Sequence, residues 1–69
     1  MSENIIRAAQ RVKSARQKQD QTLAVLQSAT PGTNGFATAL ENHTKAAQLV
    51  HDEEKYLATL VIAEMERTS

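Results

Sequence analysis

Cysteine and tryptophan are both missing from this chain of 69 residues. Without cysteine there is no disulfide and no thiolate zinc site, and the reducing interior of a cell is the natural compartment. Aromatic residues are down to one phenylalanine, Phe36, and one tyrosine, Tyr56. No apolar stretch approaches the roughly 18 residues of a membrane-spanning helix. None follows the first charges of Met1–Arg7 in the way a signal peptide requires. The formal net charge is zero, which removes the strong single-sign field of a dedicated nucleic-acid binder. A soluble, cytoplasmic protein with no membrane contact is the expectation.

Size is the next constraint. A monomeric core in so short a chain supplies roughly 3–5 kcal/mol. Chains of this length usually add disulfides, a metal or oligomerisation. With cysteine absent and no metal motif in view, a homo-oligomer is expected.

What is present is two long helical patterns and one break. The break is Thr30-Pro31-Gly32-Thr33-Asn34-Gly35, which holds both glycines and the one proline of the chain. Proline cannot continue a helix, and glycine supplies backbone conformations other residues avoid. The loop is therefore expected over 30–35. Thr33 or Asn34 is the expected N-cap of the second helix, with Thr38-Ala39-Leu40-Glu41 as a rival capping box.

Before the break, Ile5, Ala8, Val12, Ala15, Gln19, Thr22, Leu26 and Ala29 recur at alternating spacings of three and four. That is the apolar seam of a heptad repeat, widened by Ala9 and Leu23. With Ser2 as N-cap and Glu3 suiting the helix dipole, helix 1 is expected from about 3 to 29. Half of the seam is alanine or threonine, so a partner helix can come close. Gln19 interrupts it, either as a partly solvated layer or as a polar residue that fixes register.

After the break, residues 36–67 read as a longer amphipathic helix. Its inward stripe is Phe36, Ala39/Leu40, His43, Ala46/Ala47, Val50, Glu53/Glu54, Leu57, Leu60/Val61 and Glu64. The short connection makes an antiparallel α-hairpin the default, and the domain all-α. Folding at the loop sets apolar layers against apolar ones, Val12 near Val50 and Ile5 near Leu57 and Leu60. Charge agrees with this pairing: residues 1–29 carry net +3 and residues 30–69 net -3. Arg11 and Arg16 are then placed to reach the Asp52-Glu53-Glu54 cluster.

One hairpin cannot bury all of this apolar surface. Leu57 to Met65 is apolar on more than one face, whereas packing on one neighbour needs a single stripe. Leu49, Tyr56 and Ala63 form a second line at seven-residue spacing. A homodimer closing into a four-helix bundle is expected, beside a face for another protein.

The chemistry inventory is thin. His51 and Glu54 lie on adjacent turns, but bundle metal sites use the order Glu-x-x-His and carboxylates from several helices. No serine has a base and acid around it, and no glycine-rich loop follows a strand. No catalytic residue, metal or cofactor is therefore assigned, and an enzyme is not expected.

Two functional classes remain. Arg7, Arg11, Ser14 and Lys18 make one ridge along helix 1, which in a dimer forms a basic strip for a nucleic-acid backbone. In length and layout alone the plan resembles the plasmid RNA-binding α-hairpin dimers of the Rop kind. Small secretion-system chaperone hairpins are similar in size. No motif is shared with either. The favoured class is a protein–protein interaction module: an inhibitor, adaptor or chaperone, of the kind phages and other mobile elements carry as accessory proteins against a host protein. Its binding residues are expected to be Leu49, Tyr56, Ile62 and Met65, since tyrosine anchors interfaces and methionine adapts to a partner.

Overall fold

The computed structural model of the chain describes residues 2–68. Two helices account for nearly all of them, α1 over Glu3–Ser28 and α2 over Asn34–Thr68. They pack side by side as a hairpin, a rod with extents of 54 × 14 × 11 Å. The long dimension is that of α2, whose 35 residues span about 52 Å at helical rise. No helix among the described residues is long and apolar enough to cross a membrane.

The connection is shorter than the glycines and proline suggest. Ala29 leaves α1 in an extended conformation, with φ -81° and ψ 146°. Pro31 and Gly32 then occupy the centre of a turn closed by Thr33 N–H donating to the Thr30 carbonyl at 3.3 Å. Gly32 has φ 85°, which the second central position of a type II turn demands, while proline suits the first. Thr33 is the cap of α2: its Oγ1 accepts from Phe36 N–H at 3.2 Å. Because the cap sits at Thr33, Asn34 and Gly35 belong to the first turn of α2 and not to the loop. Thr38 and Glu41 lie inside α2, and Glu41 pairs with Lys45 at 3.0 Å. At the other end Ser2 is extended and stands before α1, but its side chain makes no capping hydrogen bond.

The seam follows the heptad pattern residue for residue. Ile5, Ala8, Val12 and Ala15 of α1 are buried against Ala39, Ala46 and Val50 of α2. Gln19, Thr22, Leu26 and Ala29 continue the line half-buried, as do His43, Glu53, Leu57, Leu60 and Glu64 opposite. Four of the seven buried residues are alanine, so the helices approach closely and the core is thin. Of the paired candidates on α2, Leu40, Glu54 and Val61 are exposed and lie outside the seam, while Ala47 is half-buried beside Ala46.

Candidate partner-binding faces

A two-helix rod has a seam and two flanks beside it. On each helix, residues seven apart return to the same flank, because two turns nearly complete a whole number of revolutions. The ion pairs across the seam show which lines meet.

The first flank carries the basic ridge. Arg7, Gln10, Arg11, Ser14 and Lys18 of α1 line a groove of about 520 Å³ with Leu49 and Glu53 of α2. Arg11 organises it. Its Nη2 donates to Glu53 Oε1 at 2.8 Å, and its guanidinium carbon stands 5.7 Å from the centre of the Tyr56 ring. The Glu53 side chain is only 12% exposed, so Arg11 compensates a charge largely withdrawn from water. Arg7 is held by Glu3 at 2.7 Å. The ridge of Arg7, Arg11, Ser14 and Lys18 thus does gather on one side, but two of its three cations are neutralised within the chain. Nearer the loop this groove runs on past Lys18, Thr22, Asn42 and Lys45.

The second flank lies on the other side of the seam. A hollow of about 470 Å³ is lined by Ala9, Lys13, Arg16, Gln17, Asp20 and Leu57, with Val12 at its floor. Arg16 Nη2 reaches Glu54 Oε1 at 3.1 Å, with the Glu54 side chain 45% exposed. Leu23 stands seven residues beyond Arg16, while Leu40 and Val61 stand fourteen before and seven after Glu54. All three leucine and valine side chains are exposed.

The four residues expected to bind a partner do not share a face. Leu49 and Tyr56 are both on the first flank, beside Arg11. Met65 lies nine residues past Tyr56, which turns it about 180° away, onto the second flank. Ile62 is on the outer back of α2. All four are exposed. The sequence reading missed Leu23, Leu40 and Val61 as a face of their own, since the stripe absorbed them as alternates. Their signal was the same spacing of seven that picked out Leu49, Tyr56 and Ala63.

Glu54, half of the weak metal candidate with His51, is engaged by Arg16 instead. His43 meets the threonine hydroxyl of Thr22 at 3.2 Å. Asp52, the third acid of the cluster, accepts from Gln48 Nε2 within α2 at 3.0 Å and takes no arginine.

The fold and its faces define an α-hairpin with a narrow alanine-rich seam and two partly apolar flanks. Comparison with protein-family models, with curated proteins and with solved structures finds no match for the chain.

Proposed function

We propose that the protein is a small, non-enzymatic protein–protein interaction module that dimerises into a four-helix bundle and acts on another protein as an inhibitor, adaptor or chaperone. One observation carries this reading. The chain exposes larger apolar side chains than it buries. Ile6, Leu23, Val25, Leu40, Leu49, Tyr56, Val61, Ile62 and Met65 are 37–65% exposed, whereas the buried set is Ile5, two valines and four alanines. Scattered apolar residues on a surface are ordinary, but rows of them on a thin rod support binding.

The test has two parts. Light scattering at micromolar concentration gives twice the chain mass, and affinity capture from the native host recovers a protein. A monomeric mass together with a cooperative thermal transition sinks the dimer. Capture of nucleic acid in place of protein sinks the class.

The RNA-binding alternative draws on the groove shared by Arg7, Arg11, Ser14 and Lys18. It ranks second because Glu3 and Glu53 already take two of those cations. Strong retention on heparin at low salt favours the alternative, and passage through the column favours the protein-binding reading.

A further inference from the structure

We propose that the groove of the first flank takes an acidic amphipathic helix of the target protein, laid along the hairpin as a further helix. The inference rests on the protein-binding reading above and adds where the target docks and the chemistry of its docking segment.

The groove is continuous along the rod. Its two stretches, of about 520 and 420 Å³, share Lys18 and Leu49. Ala15, Ala46 and Leu49 make its apolar lining, and Tyr56 stands further along beside Arg11. Alanine at two of these positions leaves room for an incoming side chain. Leu49 and Tyr56 are seven residues apart, and a helix returns its own apolar side chains to one face at that interval. Both walls of the groove are helices, whose backbone groups are spent within them, so an extended peptide finds no strand edge to pair with. A helix laid in the groove is the mode that remains.

Charge selects which helix. Arg7, Arg11, Lys18 and Lys45 line the groove against one acid, Glu53, in a chain of zero net charge. Arg11 stays committed to Glu53, whose side chain is only 12% exposed. Among the described residues no acid pairs with Lys18. Arg7 and Lys45 are tied to Glu3 and Glu41 by one-turn pairs with all four side chains 65–75% exposed. Such pairs contribute little in water and yield readily to a partner. Three uncommitted cations beside an apolar lining match a few carboxylates along one edge of an apolar helix face. A nucleic acid brings a phosphate at every nucleotide and has no use for that lining or for Glu53. The second flank lacks this bias, since Lys13 and Arg16 stand there with Asp20 and Glu54.

Three helical peptides, each about three heptads long with leucine at a and d, test the site. Their e and g positions are all glutamate, all glutamine or all lysine, and binding is read by fluorescence anisotropy. The glutamate peptide is expected to bind about tenfold or more tighter than the glutamine peptide, with the lysine peptide weakest. Lys18→Glu changes an exposed side chain and is expected to leave the melting temperature unchanged. It is expected to weaken the glutamate peptide about fivefold and to strengthen the lysine peptide. Damage to the fold would instead weaken all three peptides and lower the melting temperature. A glutamate peptide that binds no tighter than the glutamine one, or that ignores Lys18→Glu, overturns this docking site. Host protein captured equally by wild type and Lys18→Glu then leaves the interaction reading standing. A single-stranded RNA that binds more tightly than the glutamate peptide, with no host protein captured, overturns both.

Discussion

Thr22 Oγ1 lies 3.2 Å from His43 Nδ1 across the helix seam, while the same hydroxyl donates to the Gln19 carbonyl at 2.8 Å. A threonine hydroxyl has one proton to give. With that proton on Gln19, the contact to His43 needs the imidazole to donate from Nδ1. The neutral His43 ring is therefore expected as the Nδ1–H tautomer, and ring-nitrogen chemical shifts read this directly. Thr22→Val removes the acceptor and leaves a half-buried donor unmet, at a cost of about 1–2 kcal/mol. An Nε2–H ring in the wild-type protein would mean that the hydroxyl points at His43 and not at its own helix.

The two inter-helix ion pairs are expected to differ in strength. Glu53 is far more enclosed than Glu54, and its second oxygen is buried without a hydrogen-bond partner. Arg11→Ala strands a withdrawn carboxylate and is expected to cost about 1–3 kcal/mol. Arg16→Ala breaks a solvated pair worth roughly 0.2–1 kcal/mol. Chemical denaturation of the two variants gives the order. Equal losses would show that water reaches Glu53 as freely as Glu54.

Much of the hairpin was legible because the heptad spacing states which residues face inward. Ile5 to Leu26 on α1 needed only that spacing, and the reach of Arg11 and Arg16 to the Asp52-Glu53-Glu54 cluster followed from the register, though which arginine takes which acid did not. Legibility failed where two neighbours compete for one position. Leu40 and Val61 stand one residue after Ala39 and Leu60, and apolar character alone does not choose between them. The choice is made by the close approach that Ala39 and Ala46 permit, which rotates α2 so that the larger side chains turn outward. That the candidate residues do not share one face has a related reason. Tyr56, Ile62 and Met65 were grouped by residue type and by the surplus of apolar residues near the end of the second helix, but helical rotation sets Tyr56 and Met65 on opposite flanks.

The glycines are expected to respond in opposite directions. Gly32 has φ 85°, a conformation that a Cβ disfavours, so Gly32→Ala is expected to destabilise by about 1–2 kcal/mol. Gly35 lies in the first turn of α2, and a Cβ there meets nothing closer than Thr33 Oγ1 at 3.8 Å. Gly35→Ala is expected to stabilise by about 0.4–1 kcal/mol through the lower entropy of the unfolded chain. Thermal melting at fixed protein concentration measures both, and two shifts of the same sign would contradict the turn geometry.

Tyr56 tests the division of labour between the flanks. The residue is 48% exposed and its ring stands beside the Arg11 guanidinium, so its removal takes little from the core. Tyr56→Ala is expected to cost about 0.5–1 kcal/mol of stability, the worth of an exposed cation–π contact. An anchor at the centre of a binding face costs at least about 2 kcal/mol of affinity when truncated. If the first flank engages the target protein, Tyr56→Ala and Leu49→Ala both lose capture of it while keeping the dimeric mass. Met65→Ala, on the opposite flank, keeps capture of it. Melting temperature, scattering mass and recovery of the captured protein are measured on all three variants. Early melting or a monomeric mass for Tyr56→Ala would place the tyrosine in the dimer seam. The target-binding surface would then have to be sought on the outer back of α2, around Ile62.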